Sequence, residues 1–311
     1  MASATSTAPA AWAMPGKRFV IGVPYAWLVV FFLLPFLILV YISFVDMGND
    51  INPFKPIWDT QTGVLHLKYE NYWSIFRTGD DGTLFKTIYI EAYLRSLLYA
   101  LATAVLCLLI GYPFAYFIAR SSPSARPALL MMVMLPFWTS FLLRVYAWKG
   151  ILADQGVLNQ VLMALGITSE PIQMLYTNVS MLVGMTYVYL PFMILPLYAN
   201  LVKMDFRLLE AAYDLGTTPF KAFWLVTVPL SKAGIVAGFM LVFIPSVGEF
   251  VIPSLLGGPE NVMIGRVVWD EMFTSNNWPR ASALAVVMIG LIVVPLAFYY
   301  HHTSEQEAKR A

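Results

Sequence analysis

Six apolar stretches, each long enough to cross a lipid bilayer, decide what this chain folds into. A hydrocarbon core about 30 Å thick takes about 20 residues of helix at about 1.5 Å rise. The stretches cover residues 19–45, 96–119, 128–148, 179–202, 233–256 and 281–300. The first carries no charge, the third holds Arg144 near its end, and the fifth is interrupted by Glu249. Backbone in lipid must satisfy its own polar groups, so each stretch is expected to be helical. Pro24, Pro35, Pro113, Pro136, Pro191, Pro196, Pro245 and Pro295 fall inside them. In a bundle, neighbouring helices satisfy the carbonyls that such prolines free. Of 311 residues 59% are hydrophobic and 12% charged, against about a quarter charged in a soluble domain. That surplus of apolar side chains does not fit one water-soluble core. The expected architecture is an all-α integral membrane domain over residues 19–300, with a disordered tail 1–18 and a second tail 301–311.

Orientation follows from Lys and Arg in the short connections. Lys17 and Arg18 precede the first span, and Arg120 and Arg126 lie between the second and third. Lys203, Arg207, Lys221 and Lys232 lie between the fourth and fifth, and Lys309 and Arg310 follow the last. The segment Gly150–Asn178 has neither Lys nor Arg. Six spans with both termini in the cytoplasm put all these basic segments on one side. The long segment Asp46–Glu91 is then external. The first stretch is far longer than the roughly 7–15 residues of a signal-peptide core, so an uncleaved span is expected.

Several chemistries lack their residues. Cys107 is the lone cysteine and the three histidines give it no metal-ligand spacing, so a small apolar residue in the core or facing lipid is expected. There is no G-x-x-x-x-G-K-[ST] phosphate loop, no H-E-x-x-H and no G-x-S-x-G. No internal repeat of the secondary-transporter kind is visible. Catalytic and metal residues are expected to be none, and the chain is expected to be no enzyme.

The segment 203–229, between the fourth and fifth spans, is the most informative. Asp205 is placed to cap a helix, and Phe206, Leu209 and Tyr213 recur on one helical face. Gly216 stands where that helix ends in a left-handed turn, and Thr218 with Pro219 opens a second helix. The physical expectation is a compact helical knob at the cytoplasmic surface. Glu210-Ala211-Ala212, three residues, Gly216, nine residues and Val226-Thr227-Val228-Pro229 resemble the EAA loop of binding-protein-dependent ATP-binding-cassette importer permeases. Val226 and Val228 stand where that pattern usually has Ile and Leu.

Three further stretches, Pro24–Trp27 with Leu34-Pro35-Phe36, Trp138–Trp148 and Gly248–Gly258, are similar to the polyamine permeases, nearest to those of putrescine importers. The resemblance implies the type I (MetI-like) importer permease fold in a bacterial inner membrane. It implies import of a polyamine, putrescine foremost, driven by a partner ATPase that binds ATP and Mg while this chain binds no cofactor. The implied partners are a second related permease, two copies of the ATPase and a periplasmic polyamine-binding protein. Glu210, Ala211, Ala212, Gly216 and Pro229 become the candidate ATPase-coupling residues. A permease of the same fold for an amino acid or another cation is the alternative.

Glu249 is the carboxylate inside an apolar span, and such residues normally face protein or water. It lies about 26 Å along the helix from Lys232, hence toward the outer side. Two readings stay open: a contact for cargo ammonium groups, or an interfacial carboxylate paired with a base such as Arg144. Trp138 and Tyr146, with Trp148, Tyr187 and Tyr189, are candidates to line a cationic route or to form an interfacial belt. Arg144 would repel a cation on that route and is expected to serve structure or gating. The acidic residues of the outer segments are either solvated loops or a cation-attracting vestibule.

Overall fold

The computed structural model describes residues 17–49, 52–58, 66–77 and 88–308, with the side chains of 17, 18 and 298–308 excepted. Of the tail expected over 1–18, residues 1–16 lie outside the described residues and Lys17 and Arg18 open the first helix instead; residues 50–51, 59–65 and 78–87 of the segment Asp46–Glu91 lie outside them as well. Among the described residues every named element is a helix, joined by turns and loops, and Met47 and Phe54 form an isolated antiparallel bridge.

Four helices cross unbroken: α1 (Phe19–Ser43), α3 (Ile88–Arg120), α7 (Asn178–Leu201) and the apolar part of α13 (Trp278–Ala308). Two further crossings are bent pairs. Arg126–Trp138 (α4) meets the segment Phe141–Ala164, made of α5 (Phe141–Leu152) and α6 (Val157–Ala164), at 87°, and Pro219–Leu230 (α9) meets Lys232–Val247 (α10) at 69°. The third stretch is therefore not the continuous helix expected over 128–148. Pro136 sits in a 3-10 turn, Leu135–Trp138, and Thr139 turns back on it. The Thr139 amide and hydroxyl both donate to the Pro136 carbonyl, at 3.3 and 2.8 Å. Such local bonds compete with the helical ladder. The fifth stretch is likewise interrupted after Val247, and a short helix α11 (Val251–Leu256) follows. Pro253 cannot donate to the Glu249 carbonyl, and its ring would crowd that carbonyl if the helix ran on.

At the centre α3, α7 and α10 pack against one another. Met181, Met185, Met193, Leu197 and Leu201 on α7 are fully buried, with Cys107 and Ala115 of α3 and Val242 of α10. Of the two places expected for Cys107 it takes the core, where Sγ donates to the Thr186 carbonyl at 3.5 Å. Over the apolar window of α7, 56% of residues are buried, against 6% for α1. The first helix thus lies on the periphery, and its part Leu34–Ser43 packs on α13. At its C-terminal end a small lobe forms around α2 (Glu70–Phe76). The Asn71 amide donates to the carbonyls of Ser43 and Val45 at 3.0 and 2.9 Å, and Lys68 pairs with Asp46.

Two boundaries differ from the sequence expectation. Helix α3 begins at Ile88, eight residues before the apolar stretch, its extra turns carrying an Arg95–Glu91 pair at 3.4 Å. Helix α13 continues to Ala308, through most of the expected tail.

Candidate functional site: the coupling segment and the outer break

The first candidate site, on the side that the Lys and Arg distribution makes the inner one, is built from α8 (Arg207–Asp214) and α9. The N-cap is Phe206 and not Asp205 as expected; Asp205 stands one residue before it, where its Oδ1 accepts from the Arg207 amide at 3.0 Å. Of the apolar face, Leu209 is buried, Phe206 is half-buried and Tyr213 is exposed. At the C-terminus the Thr217 amide reaches the Ala212 carbonyl at 3.0 Å and the Gly216 amide reaches Tyr213 at 2.8 Å. Gly216 has φ +80°, the left-handed turn that Gly adopts at little cost. Thr218 Oγ1 then accepts from the Lys221 amide at 3.4 Å, with Pro219 as the first helical residue. A π-helical turn, Phe223–Thr227, precedes the Val228–Leu230 turn that contains Pro229.

The knob leaves apolar side chains in the open. Leu215 is 87% and Phe220 74% exposed, and Leu208, Trp224 and Leu225 are exposed beside them. Glu210, Ala211, Gly216 and Pro229 are also exposed, and Ala212 is half-buried. Of the five candidate coupling residues, Glu210, Ala211 and Ala212 lie in α8, Gly216 in the turn that follows it and Pro229 near the end of α9.

The second candidate site, on the side expected to be the outer one, is the break in the fifth span. Glu249 is 9% exposed. Its Oε1 accepts from the amides of Phe250, Val251 and Ile252 at 3.1, 3.0 and 3.4 Å. Its Oε2 accepts from the Tyr189 hydroxyl at 2.5 Å. One carboxylate thus caps α11 and ties it to α7. A helix α12 (Ile264–Trp269) lies against the same turn. A Cβ on Gly265 would stand 2.4 Å from the Gly248 carbonyl oxygen and 2.8 Å from that of Glu249, so only Gly permits the approach. Phe250 stacks on Trp269 at 4.7 Å.

Arg144 is not the partner of Glu249, which removes the ion-pair reading. Its guanidinium stands 5.0 Å over the Phe137 ring and 6.0 Å over Phe141, and Nε and Nη1 are buried without a hydrogen-bond acceptor. Phe137 meets Phe192 at 5.2 Å and Phe192 meets Tyr189 at 6.2 Å. These rings separate the cation from the carboxylate. Helix packing does bring α5 beside α11, yet Trp138 and Tyr146 are exposed, at 77% and 54%, and stand outside the Glu249 network. Of the aromatic candidates Tyr189 alone touches Glu249, and Tyr187 packs on Trp148 at 5.5 Å. Nothing in the local sequence distinguishes Tyr189, because its partner is 60 residues away. Among the described residues no group of three or more His, Cys, Asp or Glu gathers as a metal site.

A polytopic bundle that interrupts its crossings at defined turns and presents a stiff apolar knob on one side is the architecture of a transport-system membrane component. The chain belongs to the family of binding-protein-dependent transport system inner membrane components, whose profile matches residues 4–304. Among its relatives is the spermidine/putrescine transport system permease protein PotB of Haemophilus influenzae, 37% identical over 91% of this chain and 93% of that one. PotB of Escherichia coli is 34% identical over 88% of this chain and 93% of its own. The inner membrane ABC transporter permease protein YdcU of E. coli is 33% identical over 73% of this chain and 80% of its own. In fold, the chain is similar to one from a bacterial ABC transporter that imports alginate, with a TM-score of 0.60, 16% identity and coverage of 93% and 96%. The chain is thus a multi-pass transport subunit of the inner membrane.

Proposed function

We propose that this chain is one of two related permeases in an ATP-driven importer of polyamines. The observation that carries the reading is near full-length similarity to permeases named for spermidine and putrescine. The exposed coupling segment supports it. Leu215 and Phe220 offer an apolar face to a cytoplasmic ATPase, and Glu210 to Gly216 give the knob a stiff frame. Two ATPase copies bind ATP and Mg, and this chain binds neither. A periplasmic binding protein delivers cargo to the side opposite the knob. Both termini then face the cytoplasm and Asp46–Glu91 faces the periplasm, in keeping with the Lys and Arg distribution.

Putrescine is the foremost cargo, with spermidine beside it. Such cargo is a flexible chain with terminal ammonium groups, and the outer break offers one carboxylate beside rings. Glu249 already accepts four hydrogen bonds from this chain, so any cargo contact there is brief, as an importer requires. The test is uptake of radiolabelled putrescine and spermidine by cells that lack other polyamine importers, with the complete importer present or with this chain deleted. Uptake that depends on this chain is expected. Polyamine uptake indifferent to it, with uptake of an amino acid or another cation restored instead, overturns the cargo assignment.

A further inference from the structure

The coupling segment is fastened to the bundle by more than its two chain ends. Tyr112 and Tyr116 stand one helical turn apart near the cytoplasmic end of α3. The Phe223 ring meets Tyr112 edge-on at 5.4 Å and Tyr116 at 6.1 Å. Phe206, in the turn before α8, meets Tyr116 at 6.5 Å. The Arg120 guanidinium covers this cluster, 5.6 Å over Tyr116 and 5.9 Å over Phe206, and donates to the Tyr116 oxygen at 3.2 Å. Deeper in, the hydroxyls of Tyr112 and Ser231 share a hydrogen bond at 2.7 Å. Ser231 is fully buried, and it is the one residue between α9 and α10, where the axis turns by 69°.

A displacement of the knob has two covalent ways into the membrane, and both begin in turns. Residues 202–206 link it to α7, and the bend at Ser231 links it to α10. Short turns absorb dihedral change, so a push arriving there is dissipated unless something stiffer bridges the turn. Edge-to-face ring contacts and a buried hydroxyl pair are directional and close-packed, so they resist sliding. Here they bridge both turns to the same helix. That helix packs along both α7 and α10, so a motion entering it reaches the whole centre of the bundle.

We infer that Tyr112, Tyr116, Phe206 and Phe223, with Arg120, form a clamp through which displacement of the coupling segment enters α3. They are positioning residues for transport that lie outside the Glu210–Gly216 pattern and Pro229. The inference rests on the proposed docking of an ATPase to the segment.

The test uses the complete importer in proteoliposomes and reads putrescine and spermidine imported per ATP hydrolysed, together with the ATPase retained on purification. Phe206→Leu keeps apolar volume and removes the ring, whereas Tyr112→Phe removes only the hydroxyl. Phe206→Leu is expected to lower cargo per ATP by about fivefold and Tyr112→Phe by about twofold, with the ATPase retained. Phe206→Tyr is expected to restore the ratio, which a merely structural role would not predict. An unchanged ratio in both variants overturns the clamp. Loss of the ATPase from Phe206→Leu combined with an unchanged ratio in Tyr112→Phe overturns it too. Failure of the docking reading looks different: Leu215→Asp would leave both ATPase and uptake intact, whatever the clamp variants do.

Discussion

At the outer break the chain answers its own polar groups, while at the inner turn it leaves apolar groups unanswered. Around residues 248–252 one carboxylate takes three amides and a phenol, and Gly265 lets α12 close over the turn. Around residues 215–220 the backbone is just as well finished, by a left-handed Gly216 and the Thr218 cap. Its side chains are not: Leu215 and Phe220 stand in the open. A buried unsatisfied group costs about 1–3 kcal/mol, so a permanent break must be self-sufficient. Exposed apolar residues on a rigid frame make sense when a partner covers them. The outer break is therefore a finished part of the bundle, and under the proposed function the inner knob is half of an interface.

The sharpest way to break this contrast is at Gly216. A Cβ there would meet no other atom within 4 Å, but a β-branched residue is forced into the left-handed region, at a cost of about 1–3 kcal/mol. Gly216→Val is expected to cut uptake by about tenfold or more through the distorted knob. Gly216→Asn, which tolerates that conformation, is expected to keep most of it. Uptake assays on both decide; a fully active Val variant shows that the turn does not need its shape.

Next in size is Glu249→Ala, which orphans the Tyr189 hydroxyl and the α11 amides. A loss of about 2–4 kcal/mol in stability is expected from the missing cap and the unpaired groups, seen as a lower Tm of the solubilised complex. Glu249→Gln keeps a carbonyl for the amides, so the complex is expected to assemble and keep its basal ATP hydrolysis. Its putrescine uptake is expected to fall, because the charge is gone. Unchanged uptake with normal assembly confines Glu249 to its capping work. The smallest effect belongs to Tyr189→Phe, which removes one bond to the carboxylate. About 1–2 kcal/mol of stability is expected to go with it, and no change in Tm would show that the tie between α7 and α11 carries no weight.

The membrane fold was legible because lipid imposes a coarse requirement: length and apolarity alone marked six crossings. The turn at Gly216 was legible because few residues adopt a positive φ, and the capping residues around it are local in sequence. The breaks were harder. Prolines within an apolar run are tolerated in bundles, so neither Pro136 nor Pro253 announced that its helix would stop rather than bend gently. The fate of Glu249 depended on Tyr189, and that of Arg144 on Phe137 and its neighbours. Contacts across a fold leave no local trace. Packing places Trp138 and Tyr146 on an exposed face, apart from the Glu249 network. The clamp rings were invisible for the same reason: Tyr112 and Phe223 are simply aromatic residues in apolar sequence until the fold brings them together.

The most direct test is purification of the importer through a tag on this chain, from cells that supply every subunit, with Leu215→Asp and Phe220→Asp introduced together. Both side chains are exposed, so the fold should survive, and two carboxylates in an apolar interface should prevent it from closing. The account predicts that the wild-type chain brings down the second permease and the ATPase, whereas the double variant keeps the permease and loses at least about nine-tenths of the ATPase. A double variant that retains the ATPase in full would contradict the claim that this knob is where the chain receives its driving force.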